Sequence, residues 1–210
     1  MTVLTPELIL AAYAQGAFPM GLGARSRAIL WERPSVRGIL PLDGFRISRS
    51  LGRTRRRGGF RFSCDRAFAA VLDGCAARPE TWINPPIRRA FTELHAMGLA
   101  HSVEVWDGAA LAGGVYGLAM GGAFFAESMF SARPDGSKLA LAELVARLRA
   151  GGYSLLDTQY PTAHLASLGG LAIPQEVYLR RLATALDHPG DPARAFVPVN
   201  PTAADGAVWT

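Results

Sequence analysis

A chain of 210 residues, half of them hydrophobic and 19% charged, can bury a sizeable core and is not a disordered protein. No apolar run approaches 18 residues and no basic leader opens the chain, so neither a membrane span nor a secretory signal is expected. Two cysteines, Cys64 and Cys75, are too few for a disulfide framework and lack zinc-ligand spacing, which fits a reduced, cytoplasmic setting. The formal net charge of +5 favours an anionic partner.

Thr5 caps a first helix, with Pro6 in its first turn and Gly16 as its stop. Gly16 to Arg37 reads as loop, on Pro19, Gly21, Gly23 and Pro34. Gly38 to Leu42 and Phe45 to Ser48 read as short strands. Seven arginines and no acid lie between Phe45 and Cys64. Such density repels itself unless a phosphate backbone lies nearby, which marks Arg53, Arg55, Arg56 and Arg57 as candidate RNA contacts. A solvated basic face or a disordered arm fits the same composition, and arginine outnumbers lysine 21 to 1 throughout the chain.

Phe60 to Cys64 alternates as a strand. Asp65 is placed to cap a helix reaching Ala77, and Asn84 a helix with Pro85 in its first turn, Ile87, Phe91 and Leu94 inward, and Gly98 as its stop. His101 to Trp106, Leu111 to Ala119 and Ala123 to Phe130, joined by Asp107-Gly108 and Gly121-Gly122, predict an antiparallel meander. A helix capped by Ser137 follows to Ala150, then a strand over Leu155 to Gln159, a helical stretch around His164, and a helix from Pro174 to Leu186. This order predicts an α+β chain: a small basic N-terminal domain over 1–62, a catalytic domain over 63–187, and a loose tail over 188–210. Two helices, a meander, a helix and a strand is the order of N-acetyltransferase-like folds of the acyl-CoA N-acyltransferase superfamily, an analogy of fold that carries no chemistry.

Three places carry candidate chemistry. Glu127, set among Phe125, Met129 and Phe130, either meets a cation in a cleft or lies on a solvated strand face. Alternation puts Phe125, Glu127 and Met129 on one face. Asp157 and Gln159 share a strand face, where the acid can orient the amide toward an attacking amine; alternatively Asp157 caps the next helix and Gln159 is on the surface. Trp31 and Trp82 can stack unpaired bases or anchor the core. His95, His101 and His164 are scattered and read as structural. No serine sits in a nucleophile elbow, the paired glycines lack a phosphate-loop lysine, and no acyl-CoA pyrophosphate loop lies between Phe130 and Lys138. An ordinary N-acetyltransferase using acyl-CoA and a non-enzymatic RNA-binding module remain the rival readings.

Several strings, in order and spacing, resemble the leucyl/phenylalanyl-tRNA–protein transferase family. They are Thr81-Trp82-Ile83, Ala100-His101-Ser102-Val103-Glu104-Val105-Trp106, Gly113-Gly114-Val115-Tyr116-Gly117, Glu127-Ser128-Met129-Phe130-Ser131, Ser137-Lys138-Leu139-Ala140-Leu141, Leu156-Asp157-Thr158-Gln159 and His164-Leu165-Ala166-Ser167-Leu168-Gly169. The resemblance implies a cytoplasmic bacterial enzyme, without metal or coenzyme, that moves Leu, Phe or Met from aminoacyl-tRNA onto proteins beginning with Arg or Lys and so marks them for degradation. It implies Asp157 and Gln159 as the catalytic pair, Glu127 facing the cationic peptide terminus, and Trp31 and Trp82 on the terminal adenosine. It implies Val115, Met129, Leu141, Leu144, Leu148 and Leu156 around the transferred side chain. The chain is expected to act as a monomer away from membranes. Many members carry two adjacent tryptophans where this chain has Leu30-Trp31.

Overall fold

The computed structural model describes residues 4–197 and 202–203. Thr5 Oγ1 accepts the Leu8 N–H and Pro6 occupies the first turn, so α1 forms over Pro6–Ala14. Next come β1 (Phe18–Gly21), β2 (Ile29–Glu32), β3 (Val36–Ile39), α2 (Arg49–Arg56), β4 (Phe60–Cys64), α3 (Phe68–Ala76) and α4 (Pro85–Ala96). The meander is β5 (Ala100–Asp107), β6 (Ala110–Met120) and β7 (Ala123–Ser131). The rest is α5 (Gly136–Ala150), β8 (Leu155–Gln159), α6 (Ala163–Ser167), β9 (Leu171–Pro174), α7 (Gln175–Asp187), α8 (Pro192–Ala195) and β10 (Thr202–Ala203).

β1 and β2 form a separate hairpin. The other strands make one mixed sheet in the order β10-β4-β5-β6-β7-β8-β3-β9, in which β7 and β8 run parallel and the remaining pairs antiparallel. Strand alternation sends successive side chains into two cores. On one face Ile39, Tyr116, Leu118, Phe125 and Leu155 pack with residues of α1, α3, α4 and α7. On the other Leu40, Val103, Val105, Val115, Phe124 and Leu156 pack with α5 and with Ala195 and Phe196. A sheet covered on both faces is thus α+β with three layers.

Several local expectations give way to tertiary structure. The segment 16–37 holds a hairpin and the start of β3 rather than a loop, while Phe45 to Ser48 is no strand. Asp65 does not cap α3, whose N-cap is Ala67. With φ +56 it turns back, accepting the Ser102 N–H at 2.8 Å and pairing with His101 at 2.7 Å. Asp135, not Ser137, stands at the start of α5. The boundary near residue 63 does not part the molecule in space, because β3 lies between β8 and β9 in the same sheet as β4. The tail is not loose where it is described: Phe196 is buried and stacks on His101 at 3.8 Å between ring centres. Residues 198–201 and 204–210 of that expected tail lie outside the described residues.

Gly38 lets β3 approach β8. A Cβ there would lie 2.8 Å from Thr158 Oγ1 and 2.9 Å from the Pro161 nitrogen, an overlap with backbone that no rotamer relieves. Gly38→Ala is expected to cost about 1–3 kcal/mol, read as a lower denaturant midpoint with unchanged slope.

Candidate active site at the splayed strands

The parallel pair β7 and β8 holds register only from Ala123↔Leu155 to Phe125↔Asp157, although β7 continues to Ser131 and β8 to Gln159. Beyond that point the strands part. A bulge opens at the same level: Tyr116 pairs with Ser128 and Gly117 with Ala126, leaving Glu127 as the extra residue on β7. Gly117 is required opposite, since a Cβ there would meet the Phe125 carbonyl oxygen at 2.2 Å. The bulge breaks simple alternation. Phe125 and Glu127 both contact Tyr13 of α1, whereas Met129 packs in the opposite core, so the three do not share one face.

A second irregularity shapes β8. Gly38 pairs with Gln159 and Ile39 with Asp157, so Thr158 is passed over, and Gln159 adopts φ +56. That left-handed backbone is costly for a side-chain-bearing residue and is held by Asp157, whose Oδ1 accepts the Gln159 N–H at 2.8 Å. Asp157 is itself sealed. Arg37 Nε donates to Oδ1 and Oδ2 at 3.0 and 3.1 Å, Arg37 Nη2 donates to Oδ2 at 2.7 Å, and the Tyr178 hydroxyl donates to Oδ2 at 2.7 Å. Arg37 is 0% exposed; its Nη1 donates to the Gly16 carbonyl, and its guanidinium lies 4.6 Å from the ring centres of both Phe18 and Tyr178. A buried ion pair survives only when its remaining hydrogen-bonding positions are filled in this way.

Glu127 lives in a different environment. The Tyr13 hydroxyl donates to its Oε1 at 2.7 Å and Gln159 Nε2 donates to the same oxygen at 3.1 Å. No cation contacts it among the described residues. Burial pushes its carboxyl up to about 8, against the downward pull of the Tyr13 hydrogen bond and with a further push from Asp157. The amide of Gln159 is therefore oriented by Glu127, and Asp157 acts on the backbone of Gln159 rather than on its side chain.

These groups open on a cavity of about 280 Å³ whose walls include Phe18, Met20, Trp82, Leu165 and Tyr160. Val115, Met129, Leu141, Glu127 and Gln159 also line it. Leu144, Leu148 and Leu156 do not; all are buried in the core beneath α5 and the sheet, because α5 presents only Leu141 at the level where the strands part. Asp157 stands behind the wall with no exposure. Trp82 forms wall, its carbonyl accepting the Gly21 N–H of the hairpin, whereas Trp31 sits across that hairpin from Pro19, 38% exposed and outside the lining. The arginine segment folds into α2, anchored by buried Leu51, with Arg53, Arg56 and Arg57 exposed and Arg55 half-buried. His95, His101 and His164 stay away from the cavity. Arg37, Tyr13, Tyr178 and Phe18 carry much of the site and have no motif in the sequence that announces them.

Arg37→Met leaves Asp157 as a buried uncompensated charge and is expected to cost about 3–5 kcal/mol, whereas Arg37→Met with Asp157→Asn costs less than the single change. A double-mutant cycle by urea unfolding checks this. Glu127 has its folded pKa raised, so its favourable contribution is full below the unfolded value near 4.5 and is lost as pH rises toward 8. Glu104, buried against Ser63 and Ser102, is raised by burial as well and has the same sign. Wild type is therefore expected to lose stability relative to Glu127→Gln between pH 5 and pH 8, by on the order of a few kcal/mol at most. Unfolding of both proteins at those two pH values measures it.

The family described as leucyl/phenylalanyl-tRNA protein transferase matches residues 39–183, and its N-terminal domain matches residues 3–35. A leucyl/phenylalanyl-tRNA–protein transferase of Ruegeria sp. (strain TM1040) is 58% identical over 188 residues, 90% of each chain. One of Paramagnetospirillum magneticum (strain ATCC 700264 / AMB-1) is 53% identical over 190 residues, 89% of this chain and 91% of that one. Among solved structures, L-PGS from Bacillus licheniformis aligns at 17% identity and TM-score 0.42, over 77% of this chain and 55% of that one. With both family regions matched and such identity along nine-tenths of its length, the chain belongs to the leucyl/phenylalanyl-tRNA–protein transferase family and is a transferase.

Proposed function

We propose that this enzyme moves Leu, Phe or Met from aminoacyl-tRNA to the α-amine of proteins whose first residue is Arg or Lys, marking them for degradation. It would do so in the cytoplasm, as a monomer, without metal or coenzyme. The observation that carries the reading is one cavity, apolar on the side of Val115, Met129, Leu141 and Leu165, that ends on the polar pair Glu127 and Gln159. An apolar wall accepts aliphatic or aromatic side chains and penalises polar ones. The polar end suits an amine. Among the described residues no helix is long and apolar enough to cross a membrane.

The remaining assignments follow from position. Trp82, at the cavity wall, stacks the terminal adenosine of the tRNA, and Trp31, exposed on the neighbouring hairpin, extends that platform. Arg53, Arg55 and Arg56 on α2 and Arg57 at its C-cap contact phosphates of the acceptor stem. The sheet is N-acetyltransferase-like in its catalytic part, supported by the sequence of α3, α4, the β5–β7 meander, α5 and the parallel, splaying β8. The substrate ester is already activated, so no covalent enzyme intermediate is needed. Gln159 accepts a hydrogen bond from the attacking amine, and positioning supplies up to roughly 7–11 kcal/mol of the barrier.

Transfer of labelled Leu from Leu-tRNA to a protein beginning with Arg, with the same protein beginning with Ala as control, tests the reading; label on the Arg protein alone supports it, and label on neither sinks it. Gln159→Ala is expected to lower kcat with tRNA affinity unchanged; an unchanged kcat removes Gln159 from the chemistry. Affinity for tRNA should fall steeply with salt, and each arginine-to-alanine change on α2 should reduce the slope by about 1. Trp82→Ala should weaken tRNA binding by about 1–3 kcal/mol, read in a binding titration.

A further inference from the structure

We infer that Glu127 is the proton acceptor of the transfer reaction: its Oε2 takes a proton from the α-ammonium of the acceptor protein and so produces the free amine inside the site. The inference rests on the reading that an aminoacyl ester and a peptide amine meet in this cavity. It goes further by naming where the proton goes.

The titratable side chains lining the cavity are Arg78, Glu127 and Tyr160. A guanidinium has no proton to lose or accept near neutrality, and burial together with the Glu32 hydrogen bond raises Tyr160, so its phenol stays protonated. Gln159 is a neutral amide and too weak a base to hold a proton. Asp157 has no exposure and is committed to Arg37, Tyr178 and the Gln159 N–H. Glu127 alone presents a carboxylate to the cavity.

Tyr13 and Gln159 both donate to Oε1, which leaves Oε2 for a ligand beside the amide that orients the amine. The groups facing Glu127 come from every surrounding element: Tyr13 from α1, Arg37 from β3, Tyr116 from β6, Asp157 and Gln159 from β8, and Arg78 on the rim beyond α3. Burial holds both tyrosines protonated, Arg37 is paired with Asp157, and Arg78 donates to the Met129 carbonyl, so no cation neutralises Glu127. The carboxyl, pushed up by burial to about 8, is close to the 7.7–8.0 of an α-amine, so proton transfer between them is nearly level in free energy.

Glu127 carboxylate takes one proton from the α-ammonium. The amine lone pair attacks the ester carbonyl carbon of the aminoacyl-tRNA, and Gln159 Oε1 accepts a hydrogen bond from the amine. The bond between that carbon and the ribose oxygen breaks, and the second amine proton passes to the leaving ribose oxygen. The products are a peptide bond and a ribose hydroxyl, and Glu127 returns its proton to solvent.

The test is the single-turnover rate with tRNA and acceptor protein both saturating, measured from pH 6 to pH 9 for wild type and Glu127→Gln, with tRNA affinity confirming the fold of the variant. At pH 7 the variant is expected about 10²–10⁴-fold slower, with its rate climbing about tenfold per pH unit up to the amine pKa, while wild type rises through the carboxyl pKa of about 8 and then levels. A variant with the wild-type rate and a raised KM for acceptor would show that Glu127 only holds a cation, and a slow variant with a level pH profile would likewise overturn the inference. Tyr13→Phe decides independently should the first variant not fold. Tyr13 holds the carboxyl down, so its removal should move the acidic limb of the rate profile upward; an unmoved limb refutes the role of Glu127. Wild type that transfers to no acceptor would overturn the transferase reading itself, a result distinct from an active wild type with an equally active Glu127→Gln.

Discussion

A guanidinium and a carboxylate, both without solvent exposure, meet where four stretches of chain converge. Arg37 comes from β3, Asp157 from β8, the Tyr178 hydroxyl from α7 and the Gly16 carbonyl from the end of α1. Such a pair adds little net stability, since desolvating two charges offsets most of their attraction. What it supplies is geometry. Both oxygens of Asp157 accept hydrogen bonds, one of them from the N–H of Gln159, so the pair fixes the carboxylate that holds the left-handed turn aiming Gln159 at the cavity.

Two carboxyl groups on adjoining strands thereby acquire different work. Asp157 is saturated with donors and pairs with a cation; Glu127 receives its donors on one oxygen and, among the described residues, pairs with none. Burial raises the second and leaves it able to exchange a proton near neutrality. The two bulges produce this division. One lifts Glu127 out of the alternation of β7 and the other passes over Thr158 beside Gln159, just where the parallel pairing ends and the strands separate.

Elements with local signals are legible in the sequence. Thr5 and Asn84 cap the helices they precede, Asp107-Gly108 makes its turn, and the meander follows from alternation. Elements stabilised mainly by distant partners are not. β1, β2, β3 and β9 each span only four residues, all but β2 bearing Pro or Gly, and pairing rather than propensity makes them strands. Arg37 reads as a loop residue because its partner is 120 positions away. Leu144 and Leu148 follow the apolar pattern of α5, which says that they are inside but not whether they touch a cavity or a core; only the depth of the splay separates Leu141 from them.

The N-terminal stretch cannot then be an accessory to a catalytic unit that begins near residue 63. Tyr13 holds Glu127, Phe18 both walls the cavity and covers Arg37, and Arg37 holds Asp157, so three residues from the first forty set the two carboxyl groups. The gap between the family's two matched regions, residues 36–38, falls inside β3, the strand that carries Arg37. Removing that stretch would leave Asp157 buried without its cation, a loss on the order of 3–5 kcal/mol against a total stability near 5–15. Together the two parts of the chain keep the apolar cavity, the Gln159 amide and the Glu127 carboxyl in fixed relation. That relation is what a reaction relying on positioning requires.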